Sequence, residues 1–277
     1  MKINKMRFGA IACVLLLFGL SQNVSAQTIN IGLLTEGSTS QAVNNITFFV
    51  SEHPEYTWDN VSSNAALNAM SVADLIATYD ILVVPWQISS TADLDWDTRI
   101  LPFIAAGGGV LWEDPTNVSD GDLSASGVGL VTSNIYPGIG TGDISLVSPF
   151  DSNGAIGWYH IHYGITGHNI DWFPFSTDIN GGIHGVGGEF GEGRMLIGVS
   201  DNLYHPNMSS TGAAEVGAYN LLVNEIFWLR TGSVDGEDPA PPADVHIPVP
   251  TLSQWSFILL FALLAFVGVT RLRRTRN

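Results

Sequence analysis

Past its first 26 residues the 277-residue chain contains no cysteine, because its one thiol, Cys13, lies within an apolar run near the amino end. The rest of the chain therefore has no disulfide, no cysteine nucleophile and no thiolate metal ligand. Cys13 precedes most of the apolar run, whereas the acylated cysteine of a lipoprotein follows it. Basic residues are scarce too. Between Gln27 and Thr270 only Arg99, Arg194 and Arg230 stand against all 26 acidic residues. Such a body repels phosphate backbones and anionic lipid surfaces, so nucleic acid is excluded as a partner. Cations and neutral polymers such as carbohydrate suit it better, and an acidic surface also keeps a protein soluble in a saline or extracellular setting. Apolar residues are plentiful. They make up 45% of the chain and include eight tryptophans, enough to pack a core and to exclude disorder.

The two ends read as instructions for export. Lys2, Lys5 and Arg7 precede an apolar run centred on Val14 to Leu20, and Val24-Ser25-Ala26 places small residues before a cut at Gln27. This is the layout of a secretory signal peptide over residues 1–26. An uncleaved signal anchor is the alternative, although the run is short for a span of about 20 residues. At the other end stands VPTLSQWSFILLFALLAFVGVTRLRRTRN, residues 249–277. No charge occurs from Trp255 to Thr270. At about 1.5 Å per residue, a helix there covers most of a ~30 Å hydrocarbon core. Trp255 suits the outer interface, and the arginine cluster stays cytoplasmic by the positive-inside bias. The expected topology leaves Gln27 to Pro250 outside the cytoplasm. Residues 233–248, rich in Pro and Asp, form an extended acidic linker. The DGED within this stretch lacks the ligand spacing of an EF-hand.

The tail also carries a resemblance. Val249, Pro250, Thr251 and Leu252, then Trp255, the apolar helix and the terminal arginines resemble the IPTL-CTERM sorting signal of Gram-negative bacteria, a relative of PEP-CTERM. Val249 replaces the Ile of the name, and Ser256 stands where Gly is common. The resemblance implies a partner: an exosortase-like membrane transpeptidase that recognises the tail and removes it. A permanent single-pass anchor is the alternative.

Residues 27–232 read as one α/β domain. TINIGLLT is a buried strand. QAVNNITFFVSEH is a helix with Val43, Ile46, Phe49 and Val50 on one face, and YTWDNVS is extended. SVADLIATY opens on Ser71 as N-cap with Asp74 three residues on. YDILVVPW is a strand, DWDTRILPFIAAGGG a helix starting near Asp95, and VLWEDP another strand. The alternation predicts a flavodoxin-like parallel sheet with helices on both faces. Residues 117–151, rich in Gly, Ser and Asp, read as an irregular or β-rich insertion. The parallel pattern returns with RMLIGVSD. A long helix follows, EVGAYNLLVNEIFWLRTG, with Val216, Tyr219, Val223, Ile226 and Phe227 inward and Gly232 closing it.

YDILVVPW, AAGGGVLWEDP, YGITGHNIDWFPF, GRMLIGVSDNLYHP and the final helix together resemble the class I glutamine amidotransferase-like fold. The nearer likeness is to its branches without amidotransferase activity, such as trehalose-utilisation-like domains of secreted bacterial proteins. The family's nucleophilic cysteine would follow VLW, where Glu113, Asp114 and Pro115 stand. A thiolate mechanism is thereby excluded. The family's catalytic histidine segment is matched by His205 and Pro206, but Asn207 replaces the acid, so His205 reads as a retained feature of the fold.

Ligands of open parallel sheets bind at the carboxyl ends of the strands. Those ends present Glu36, Trp86, Gln87, Glu113, Asp114, Asp201 and His205. Carboxylates beside Trp86 suit a cation, or a sugar that is hydrogen-bonded and stacked. Glu113 with a second strand-end acid would suit glycan hydrolysis. Loop-tip acids of so acidic a protein are otherwise simply solvated. In WYHIHYGITGH, His160 and His162 share a face of a strand and His168 follows. That is a candidate zinc set, or else half-buried residues among aromatics. GGIHGVGGEFGEG, residues 181–193, lacks the lysine and the order of a phosphate cradle and reads as a flexible loop. No cofactor motif is present. Three functions stay open: binding of an extracellular ligand, glycan hydrolysis, and a structural role in a surface layer or matrix.

Overall fold

The apolar runs of the body assemble into a mixed ten-stranded sheet in the computed structural model, which describes residues 28–37, 40–85, 94–113, 131–133, 144–150, 164–178, 181–198, 203 and 207–235. All of these lie in the compact unit Met1–Asp238; the second unit, Pro239–Asn277, lies outside the described residues. The amino half builds β1 (Ile29–Leu34), α1 (Ser40–Glu52), β2 (Tyr56–Val61), α2 (Asn64–Asn68), α3 (Val72–Thr78), β3 (Ile81–Val84), α4 (Leu101–Ala105) and β4 (Gly109–Glu113). A π-helical turn, Trp96–Ile100, leads into α4. Ser71 caps α3 in a reciprocal capping box with Asp74, and the Ser71 hydrogen bonds hold the Asp74 carboxyl below its ordinary pKa. Asp95 caps the π turn through the Thr98 N–H. Short α2 was not anticipated. It starts at Ser63, whose hydroxyl accepts the Ala66 N–H.

Three short strands, β5 (Val131–Ser133), β6 (Ile144–Leu146) and β7 (Gly164–Gly167), precede β8 (Phe173–Asp178), β9 (Ile183–Phe190) and β10 (Gly193–Gly198); α5 (Ala213–Thr231) closes the domain. The strand order begins β2-β1-β3-β4-β10, with every pair parallel, which is the flavodoxin-like order. Beyond β10 the sheet turns antiparallel; β5 and β6 fall in the stretch 117–151 read as an irregular or β-rich insertion, but the antiparallel pairing of β7, β8 and β9 was not expected. Hairpin-length links join β8, β9 and β10. They are too short for the helical crossover that a parallel neighbour requires.

Two apolar layers sandwich the parallel strands, as expected of helices on both faces. Ile31, Leu33, Ile81, Val83, Leu111 and Leu196 meet Ile46 and Phe49 of α1 and Leu221, Leu222 and Ile226 of α5. On the opposite face Leu82, Val84, Val110, Trp112 and Ile197 meet Leu67, Leu75, Phe103 and Ile104. Period-two alternation thus assigns Leu111 and Glu113 to the α1/α5 side and Val110 and Trp112 to the other.

Two sequence expectations are corrected. On α5 Ile226 is buried and Tyr219, Val223 and Phe227 pack half-buried against the core as expected, but Val216 is 44% exposed, and Ala218, Leu221, Leu222, Glu225, Trp228 and Leu229 are buried as well. The helix is apolar nearly all round, so its pattern does not set its rotational phase, and an acid sits on the buried side. The glycine-rich segment read as a loop is strand β9. Its glycines make room for rings: a Cβ on Gly185 would lie 2.6 Å from Phe175, and one on Gly188 would overlap Trp172.

Candidate functional site at the carboxyl edge of the sheet

The carboxyl edge is built from the ends of β1, β3, β4 and β10. Glu36, just past β1, is already engaged, since its carboxylate accepts the backbone N–H of Asn64 and so neutralises the start of α2. Thr35 beside it donates to Asn60 Oδ1 at 2.6 Å, tying the tops of β1 and β2. Glu113 ends β4 and is 2% exposed, so the expectation of a solvated loop-tip acid is wrong for this residue. It stands opposite Gly198 of β10, and a Cβ there would lie 3.7–3.8 Å from the Glu113 carboxyl group. The small neighbour leaves room for the group to lie against the sheet.

The antiparallel extension bears directly on this edge. Gly185 of β9 is opposite Gly198, so the start of β9 projects past the end of β10. There Ile183 registers with both Thr177 of β8 and Ile165 of β7. Since β8 and β10 flank β9 on opposite sides, β7 occupies the space beyond the end of β10. Ile165 is buried in the same layer as Trp112 and Ile197. Strand β7, which follows the 117–151 insertion in the chain, therefore covers the edge at β10. The switch point between β1 and β3, where the strand order reverses, is the part of this edge at which open sheets of this order bind ligands.

At the same end lies a polar pair that sequence reasoning missed. His184 Nε2 and Asp178 Oδ2 are 2.9 Å apart, with both side chains fully buried. Asp178 Oδ1 also accepts the Gly182 N–H at 2.9 Å, so one carboxylate closes the β8–β9 turn and pins the histidine. The available signal was the DINGG turn between two apolar stretches, which marks a hairpin with His184 just inside its second strand. A second missed residue is Asn45 of α1, 1% exposed. It donates to the Leu203 carbonyl at 2.9 Å and accepts from Met208 N–H at 3.2 Å and Gln41 Nε2 at 2.9 Å. It fastens both flanks of the loop between β10 and α5.

Of the expected histidines, His168 follows β7, with Nδ1 2.8 Å from the Asn169 carbonyl oxygen. His160 and His162 lie outside the described residues, as do Trp86, Gln87, Asp114, Asp201, His205 and the tail residues Val249, Pro250, Thr251, Leu252 and Trp255. Among the described residues no cluster of three or more His, Cys, Asp or Glu residues could hold a metal ion. No helix among them is long and apolar enough to cross a membrane.

Comparison with known proteins gives one family match, the IPTL-CTERM motif, over residues 247–274. No curated protein matches the chain in sequence. Similar solved structures include an exo-β-1,4-mannosidase from Opitutaceae bacterium strain TAV5, at 11% identity and TM-score 0.47 over 76% of this chain, which spans 38% of that enzyme. A GMP synthase component from Thermoplasma acidophilum matches at 10% identity and TM-score 0.45, over 70% of this chain and 94% of that one. A ThuA-like protein from Bacteroides uniformis matches at 13% identity and TM-score 0.42, over 72% and 92%. The fold assignment rests on the strand order itself.

Proposed function

We propose that this is an exported protein, sorted to the cell surface through its C-terminal segment, whose α/β domain binds an extracellular ligand and turns none over. The observation that carries the reading is the IPTL-CTERM match over residues 247–274, which falls on the tail that the sequence marks as an apolar helix before an arginine cluster. In this reading residues 1–26 are removed on export, and residues 233–248 space the domain from the membrane. An exosortase-like transpeptidase then acts near Val249 to Leu252 and Trp255. Binding is favoured over hydrolysis because Glu113 is only 2% exposed, with little surface for a substrate to reach, and the Glu36 carboxylate already accepts the Asn64 N–H. The ends of β1 and β3 suit a carbohydrate or a hydrated cation; Trp86 and Gln87, and after them Asp114, Asp201 and His205, all outside the described residues, are assigned to this edge from the sequence alone.

Two experiments test this. Replacing Pro250, Thr251 and Leu252 together by alanine is expected to leave the full chain in the inner membrane with Asn277 intact, whereas the native chain is processed; equal processing of both refutes sorting. A glycan array probed with the full chain is expected to give hits that Trp86→Ala weakens at least about tenfold, the scale of a lost aromatic stacking contact. Unchanged hits contradict the assigned edge. A structural role in a surface layer is favoured by one observation, the placement of β7 beyond β10. It gains support if no glycan or cation binds while deletion of the protein disrupts the surface.

A further inference from the structure

Midway along α5 the helix turns a carboxyl group toward the core. Glu225 is 1% exposed, with Leu221 and Leu222 buried one turn before it and Leu229 one turn after. Its Oε2 has no hydrogen-bond partner. The helix packs on β3, β4 and β10, and on α1 through the Phe48–Tyr219 and His53–Phe227 ring contacts. From β4 the same face presents Glu113, another acid. From β10 it presents Arg194, whose guanidinium is directed to the Arg230 carbonyl and to Glu189. Before β3 stands Asp80, which accepts the Asn30 N–H. The end of α1 offers Glu52 beside Tyr219, and His53, paired with Glu55 at 3.7 Å. On α5 itself the charged groups are Glu215 in the first turn and Arg230 in the last. The ion pairs of the described residues do not include Glu225.

We propose that Glu225 is a proton-held latch in the interface between α5 and the sheet: it is a neutral acid while the helix is seated at neutral pH, and its ionisation opposes seating, so mildly alkaline pH loosens this interface. A buried carboxylate with no hydrogen bond to its Oε2 is disfavoured among leucines, whereas a neutral carboxyl group is tolerated at the cost of one unmade hydrogen bond. Burial pushes the Glu225 carboxyl up to about 8 from an ordinary 4.5. The sign follows. The native state holds this proton in a range where the unfolded chain has released it, so stability is fullest below about pH 4.5 and declines as pH rises to about 8. The decline is about tenfold in the folded-to-unfolded ratio per pH unit.

The test is the unfolding equilibrium of the full chain in detergent, from about pH 5 to about pH 9, for native protein, Glu225→Gln and Glu225→Met. Both variants are expected to lack the decline, so that their advantage over the native chain widens by about tenfold per pH unit and levels off near pH 8. Variants whose pH dependence parallels the native curve overturn the proposal. Should neither variant fold, infrared difference spectra of the native chain decide it. A protonated-carboxyl band that disappears between about pH 7 and about pH 9 is expected, and its absence at neutral pH overturns the latch.

Discussion

Three buried polar residues, Asn45, Asp178 and His184, give the domain its residue-scale specificity, and the contacts they make lead to distinct predictions. Breaking a buried pair leaves one partner uncompensated, so His184→Ala is expected to cost about 3 kcal/mol or more. Chemical denaturation at neutral pH measures it, and a cost below about 1 kcal/mol would show that the pair holds nothing. Asn45→Ala strips partners from the Leu203 carbonyl and the Met208 N–H, with an expected cost of about 1–3 kcal/mol. Faster hydrogen exchange confined to Met208 and its neighbours would distinguish loss of this clamp from general destabilisation. None of the three was legible in the sequence. Asn45 is one polar residue within an apolar helical pattern, and His184 lay in a stretch whose glycines read as a loop. What those glycines provide is space, which only the positions of Phe175 and Trp172 reveal.

Elements were legible wherever local chemistry decides them. The Ser71–Asp74 box and the Asp95 cap announced their helices, and the runs INIGLL, ILVV and GVLWE gave buried parallel strands. Gly232 ends α5 at φ 80°, a left-handed conformation that glycine adopts without strain, and its N–H bonds to the Trp228 carbonyl at 2.8 Å. The phase of α5 was legible only in part, because a helix apolar on most sides can bury several of them: Ile226 is buried as read, whereas Val216 is exposed. β9 was missed for the opposite reason: Gly185, Gly187 and Gly188 interrupt its pattern, and neighbouring side chains, Phe175 and Trp172 among them, fill the space they leave. Gly188→Ala is therefore expected to displace Trp172 and lower stability by about 1–3 kcal/mol, the range for overpacking. Thermal unfolding with tryptophan fluorescence tests this, and an unshifted midpoint would place the Trp172 ring elsewhere.

At the scale of the whole molecule, the flavodoxin-like parallel core and the sorting motif were readable, but the covered part of the carboxyl edge was not. The order β2-β1-β3-β4 is consistent with alternating strands and helices joined by right-handed crossovers, and β10 adds beside β4. The position of β7 past β10 depends on a long-range register at Ile183, which short strands of three or four residues do not announce. The sorting motif was readable because it is written in one contiguous segment, the one matched over residues 247–274. The central claim, export followed by processing at the tail, is tested most directly by the intact mass of the protein recovered from its native host. The account predicts a chain that starts at Gln27 and has lost the arginines Arg271 to Arg276. An unprocessed chain from Met1 to Asn277 in the soluble cytosolic fraction would contradict it.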